Sequence, residues 1–195
     1  MQSFPSHVDA WSSGQIGSKL WLCQELEKLP ALENRPQTVW ILGGWEGTLG
    51  FLMLARGKIP IEKLRSFDLD PESTRAANIH NELWVWRDWT FQAFCEDVNK
   101  IDYADHARWS SPPPTLIINT STEHFPSRDW FSRIPKNTLL ALQSNDLKLD
   151  DHVDPMHSMQ ELEKAFPLAE TLFKGELRFD YPNMSYTRRM LIGRR

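Results

Sequence analysis

Three short polar segments, each following an apolar run, hold residues able to do chemistry. The first is Gly43-Gly44-Trp45-Glu46-Gly47, a glycine-rich turn that lets backbone approach a ligand closely and turns helix N-terminal N–H groups toward it. Taken alone, it is also the turn any α/β protein uses between a strand and a helix. The second is Asp68-Leu69-Asp70-Pro71, where the Asp68 carboxylate can accept both hydroxyls of a ribose while Asp70, beside Pro71, reads as a helix cap. An acidic residue about 20 or more residues after such glycines is shared by dinucleotide-binding enzymes. The third is Asp97-Val98, whose carboxylate can accept from an adenine amino group and whose backbone N–H can donate to the ring. The three segments point to a nucleoside cofactor without saying which one.

Further along, Asn119-Thr120-Ser121-Thr122-Glu123-His124-Phe125 is dense in functional groups. A His beside a Glu suits general base work, because imidazole titrates near neutral pH. Asn119, nearest the preceding apolar run, is placed to orient substrate or cofactor, while Glu123 and His124 can reach a bound nucleophile. Capping a helix or satisfying a loop would use the same residues. Gln143 and Asn145 close the next apolar run and form a candidate substrate rim. His152, Asp154 and His157 follow, but their spacing matches no defined ligand motif, and no metal is read from it. At the other end of the chain, Ser13, Gln15 and Lys19 stand in the first turns of a helix whose free N–H groups can bind a carboxylate.

The elements that must position these residues alternate. Apolar residues at Ile16, Leu20, Cys23, Leu26 and Leu29 predict an amphipathic helix, with Ser12 or Ser13 as N-cap and Pro30 as stop. Strands are expected over Thr38–Leu42, Leu64–Leu69, Thr90–Cys95, Thr115–Asn119 and Thr138–Gln143. Helices are expected over Thr48–Ala55, Glu72–Trp86, Asp129–Ile134 and Ser158–Phe166. Runs that are apolar throughout suit a parallel sheet covered on both faces, hence a doubly wound α/β domain. The segments Glu170–Phe179 and Ser185–Ile192, joined by Asp180-Tyr181-Pro182-Asn183, leave no room for a helix and must pair as an antiparallel hairpin.

The chain has 195 residues, 41% hydrophobic and 25% charged, the balance of one globular domain over 1–195 with a helical segment at 1–36. Its 22 Lys and Arg against 26 Asp and Glu give a net charge of −4, which argues against nucleic acid as a partner. Cys23 and Cys95 read as buried thiols of a reducing compartment rather than a bridge. Met1–Ala10 lacks a basic region followed by an apolar stretch, and no long apolar run occurs, so a cytoplasmic protein with no membrane span is expected. Trp84, Trp86 and Trp89 read as packing or as an oligomer surface, that of a homodimer.

From Thr38 to Arg195 the sequence resembles the class I S-adenosylmethionine-dependent methyltransferases. The resemblance rests on the glycine-rich turn, Asp68, Asp97 and the final hairpin, whereas nicotinamide-binding domains have a parallel sixth strand. It implies a seven-stranded sheet of order 3-2-1-4-5-7-6 with an antiparallel last strand, helices on both faces and an extra N-terminal helix. It also implies S-adenosylmethionine as cofactor, lying across Gly43, Gly44, Gly47, Asp68, Leu69, Asp97, Val98 and Asn119. The leading segment would fold over that site as a lid, bringing Ser13, Gln15 and Lys19 to the substrate. Two departures stand out: Ile41 replaces the usual acidic residue of the first strand, and Trp45 a small residue. Glu46 could supply the missing carboxylate, Trp45 could cover the sulfonium by a cation–π contact, or the site could have lost its cofactor. The chain departs from the Asp/Asn-Pro-Pro-Tyr/Phe pattern of base-methylating enzymes and carries no sizeable insertion. The leading expectation is therefore methyl transfer to a small polar molecule. The alternatives are a cyclase or lyase that releases methylthioadenosine from the same cofactor, and an inactive binding or scaffold protein.

Overall fold

A computed structural model describes residues 8–182 and 184–195; Met1–His7 and Asn183 of the hairpin turn lie outside the described residues. Five strands run parallel: β1 (Gln37–Leu42), β2 (Ile61–Asp68), β3 (Phe91–Cys95), β4 (Leu116–Asn119) and β5 (Leu139–Asn145). Two long strands, β6 (Glu170–Tyr181) and β7 (Met184–Arg194), form the hairpin, and β7 inserts antiparallel between β5 and β6. The sheet order is β3-β2-β1-β4-β5-β7-β6, as the resemblance implies.

Why the central strands are apolar at every position is visible in how their side chains divide. Successive residues of a strand point to opposite faces. Val39 and Ile41 of β1 join one hydrophobic cluster, with Leu116 and Ile118 of β4 and Leu139 and Ala141 of β5. Trp40 and Leu42, Ile117, Leu140 and Leu142 join another. The first cluster is closed by α1 (Ser13–Leu26), α2 (Thr48–Arg56) and α3 (Pro71–His80), the second by α5 (Asp129–Arg133) and α6 (Met159–Ala165). Each fully buried Leu or Ile contributes about 1.5–3 kcal/mol, so both faces hold the sheet.

Three features differ from the sequence-based expectation. The helix predicted over Glu72–Trp86 breaks at Asn81 into α3 and α4 (Glu82–Trp86). Asn81 leaves helical geometry, and its side-chain amide donates to the carbonyls of Gly47 (3.2 Å) and Ala77 (2.9 Å), a tertiary tie that helical periodicity does not show. On α1 the buried residues are Gly14, Ser18, Lys19, Leu22, Cys23 and Leu26, whereas Ile16 and Leu20 are only half-buried, and the helix ends at Leu26, before Leu29. The polar first half of the helix faces inward because it packs on the carboxyl edge of the sheet, where polar groups are needed. Cys95 is exposed rather than buried, its thiol donating to the Leu69 carbonyl at 3.4 Å; Cys23 is buried. Ser12 caps α1 as expected, its hydroxyl accepting from the Gln15 N–H.

Two glycines of the turn after β1 are required by close packing. A Cβ on Gly44 would sit 1.8 Å from the Ser66 hydroxyl oxygen. Gly47 has φ +75° as N-cap of α2, and a Cβ there would meet Asn81 Nδ2 at 2.7 Å. Among the described residues no helix is long and apolar enough to cross a membrane.

Candidate functional site

At the carboxyl ends of β1–β5 lies a cavity of about 840 Å³, within the size range of small-molecule sites. Its walls include the turn after β1 (Gly43, Gly44, Trp45), the end of β2 (Asp68, Leu69) and the end of β3 (Asp97, Val98). The loop after β4 adds Glu123 and His124, the end of β5 adds Asn145, and α1 adds Ser13, Gln15 and Lys19.

At the β2 and β3 side, two carboxylates stand on neighbouring strand ends. Asp68 accepts from the Trp45 N–H at 2.7 Å through one oxygen and from the Asp70 N–H at 3.1 Å through the other. Burial raises its pKa above the usual carboxylate range, and those two N–H groups oppose the rise. Trp45 adopts φ +47°, a left-handed conformation unusual for a bulky residue, and Asp68 clamps its backbone there. Asp97 accepts from the Asn99 N–H at 3.0 Å, which together with Lys100 lowers its pKa. Each carboxylate retains acceptor capacity for a ligand donor. Leu69 is 70% exposed and offers the cavity an apolar surface.

The opposite side is cationic. Lys19 is buried, its ammonium donating to Gln15 Oε1, and burial followed by the nearby Arg188 charge pushes its pKa down to about 7. Arg188 of β7 is also buried and donates to the Thr120 carbonyl at 2.9 Å. The unfolded chain holds the Lys19 proton up to about pH 10. Between pH 7 and 10 the folded state therefore binds fewer protons than the unfolded, and stability rises with pH in that window. Urea melts at pH 7 and pH 9 are expected to show wild type gaining on Lys19→Met; parallel values at the two pH points would refute the assignment.

A corner of the cavity brings together Glu123, His124 and His152. Glu123 and His124 sit in a short 3-10 turn, Thr122–His124, after β4. Glu123 is 1% exposed and accepts from the Asn145 side-chain amide. His124 Nδ1 lies 3.2 Å from Asp151, its ring edge-on to that of His152 with centroids 4.6 Å apart. His152 Nδ1 is 2.6 Å from the Leu147 carbonyl.

Glu46, Gly47, Asn119 and Gln143, expected at the site, do not line the cavity. Glu46 is buried beside His80, at 3.9 Å, and Gly47 packs on Asn81. The side-chain oxygen of Asn119, Oδ1, accepts from the Ser121 N–H at 2.9 Å. Gln143 donates to the Ser18 carbonyl at 3.2 Å and so fastens α1 to β5. The triplet His152, Asp154 and His157 does not assemble, since Asp154 pairs with Arg128 and the His157 N–H is bound to Glu161. Sequence reasoning missed Tyr186, Arg188 and Phe125 as wall residues. Tyr186 and Arg188 lie two apart in β7, so their shared face is implied by strand periodicity; which face meets the cavity is set by the hairpin's docking.

The topology decides the comparison with known proteins. The fold is that of the class I S-adenosylmethionine-dependent methyltransferases. No protein-family model and no curated protein sequence matches the chain. Among solved structures it is similar to the N-methyltransferase NodS from Bradyrhizobium japonicum WM9 in complex with S-adenosyl-L-homocysteine, with TM-score 0.65 and 10% identity over 98% of this chain and 93% of that one. It is also similar to magnesium protoporphyrin IX methyltransferase from Synechocystis PCC 6803 with bound S-adenosylmethionine, with TM-score 0.59 and 10% identity over 92% and 78%. Geranyl diphosphate C-methyltransferase from Streptomyces coelicolor A3(2), in complex with Mg2+, geranyl-S-thiolodiphosphate and S-adenosyl-L-homocysteine, gives TM-score 0.61 and 11% identity over 93% and 76%.

Proposed function

We propose that the protein is an S-adenosylmethionine-dependent methyltransferase that acts on a small polar molecule. The observation that carries this reading is the pair of strand-end carboxylates, Asp68 and Asp97, facing one cavity beside the glycine-rich turn of a methyltransferase fold. The donor set suits the nucleoside half of the cofactor: carboxylates for ribose hydroxyls and the adenine amino group, the Val98 N–H for the ring, and Leu69 as an apolar floor. Ile41, Trp45, Lys19 and Arg188 line the same cavity and are assigned on this reading to the methionine half and the substrate. Bound there, the cofactor supplies an already activated methyl group, so the protein's task is chiefly alignment. Arg188, joined by Lys19 when it is protonated, attracts negative charge, Trp45 covers the turn, and the Glu123–His124–His152 corner handles the substrate's proton. Glu46, buried behind the wall, is given no part in holding the cofactor's amino group on this reading. The net charge of −4 and a cavity of small-molecule size favour a small substrate over nucleic acid.

Calorimetry with S-adenosylhomocysteine tests the reading. Asp68→Ala and Asp97→Ala are each expected to weaken binding by about 1–3 kcal/mol, as for hydrogen bonds to a charged group. Affinity unchanged in both variants, or no binding by wild type, would end it.

A further inference from the structure

Glu123, His124 and His152 come from two separate loops, and each has a ligating atom within 4.8 Å of the others. Three atoms each about 2.1 Å from a shared ion would stand about 3–3.5 Å apart, so small side-chain rotations close the site. Each of the three is also held from behind. Asn145 donates to Glu123, Asp151 faces His124 Nδ1, and the Leu147 carbonyl accepts from His152 Nδ1, which leaves the Nε2 lone pair of each imidazole free to point away from its partner. Such outer partners orient metal-binding histidines and carboxylates. The second carboxylate oxygen of Glu123 is buried and has no hydrogen-bond partner among the described residues, an arrangement that is costly unless a cation joins it. Lys19 lies within electrostatic range of Glu123, but among the described residues neither it nor Arg188 bonds to that oxygen: Lys19 donates to Gln15 and Arg188 to Thr120.

We propose that this corner is a divalent transition-metal site, with Glu123, His124 and His152 as its protein ligands and its remaining positions open to the cavity. Two imidazoles and one carboxylate suit zinc, manganese, iron(II) or cobalt(II), rather than calcium, which prefers oxygen donors alone. Taken with the methyl-transfer reading, on which this clause rests, the open positions select a substrate presenting a hydroxyl or carboxylate oxygen. A hydroxyl held there would release its proton more readily.

The test uses the full chain, stripped with EDTA and titrated with Co2+, read by visible absorption and by calorimetry. Wild type is expected to bind one equivalent. His124→Ala and His152→Ala are each expected to weaken binding tenfold or more, and Asn145→Ala about 10–100-fold through Glu123. His157→Ala, outside the cluster, should bind as wild type. No saturable binding by wild type, or undiminished affinity in either histidine variant, would overturn the site. Both histidines are partly exposed, and circular dichroism checks that each variant is folded. Because S-adenosylhomocysteine binding is measured without metal, the metal site can fail while the cofactor reading stands, and the reverse.

Discussion

Replacing His124 with alanine is expected to lower kcat by about 10²–10⁴-fold on the identified substrate, while S-adenosylhomocysteine affinity stays within about twofold. The separation follows from position. His124 sits after β4 on the same cavity as Asp68 and Asp97, which follow β2 and β3 on the other side of β1, and it stands against Asp151 and His152. As a general base or as a metal ligand it acts on the substrate's proton, a step made only in the transition state. Its side chain is 38% exposed and fills no core, so stability should be preserved. Turnover equal to wild type would mean that alignment suffices and the loop is structural. Loss of cofactor binding would mean instead that the loop shapes the cofactor's wall.

The largest stability effect is expected at Arg65, which is fully buried in the middle of β2. Its guanidinium has no carboxylate partner among the described residues. It donates instead to the carbonyls of Trp109 (2.7 Å), Ser110 (2.7 Å), Trp89 (3.0 Å) and Leu64 (3.1 Å). Trp89 and Ser110 both have positive φ, and Arg65 secures both carbonyls, binding the turn before β3 and the loop before β4 to the sheet. Burial lowers its pKa to about 10, which still leaves it charged at neutral pH. Arg65→Met would strand several buried carbonyls, each costing about 1–3 kcal/mol, so a total loss of about 3–5 kcal/mol is expected in urea denaturation. Arg65→Lys should recover only part, because an ammonium lacks the planar fork. A loss under about 1 kcal/mol would show that water serves those carbonyls equally well.

How much of this was legible in the sequence depended on whether the cause was local. Thr38–Leu42, Thr115–Asn119 and Thr138–Gln143 read as strands because burial on both faces demands apolar residues throughout, and the hairpin followed from the lack of room for a helix. That Asp68 and Asp97 stand on the cavity wall is legible because strand ends position them. The break at Asn81 was hidden because it depends on the Gly47 carbonyl, 34 residues away. The inward face of α1 is legible at Cys23 and Leu26, which are buried as expected, but not in its first half, because apolar spacing cannot see a polar cavity: Lys19 and Ser18 are buried there, and Ile16 is not fully so. Glu46 looked available by chain position alone, yet the backbone around Gly47 turns it toward α3. Arg65 carried no signal, since a charged residue in a predicted strand usually marks a solvent-facing position.

Placing β7 between β5 and β6 also bears on how the protein is made. Synthesis delivers the strands in sequence order, at about 5–20 residues per second, and β1 to β5 can pair as they emerge from the ribosome. The outer edge of β5, with Leu139–Leu142 all buried in the finished sheet, has no partner until residues 184–194 arrive. Through that interval an apolar strand edge is open to any other chain, the condition under which nascent proteins aggregate. The same late strand brings Arg188 and Tyr186, so the cavity wall and the protective edge are completed in one event.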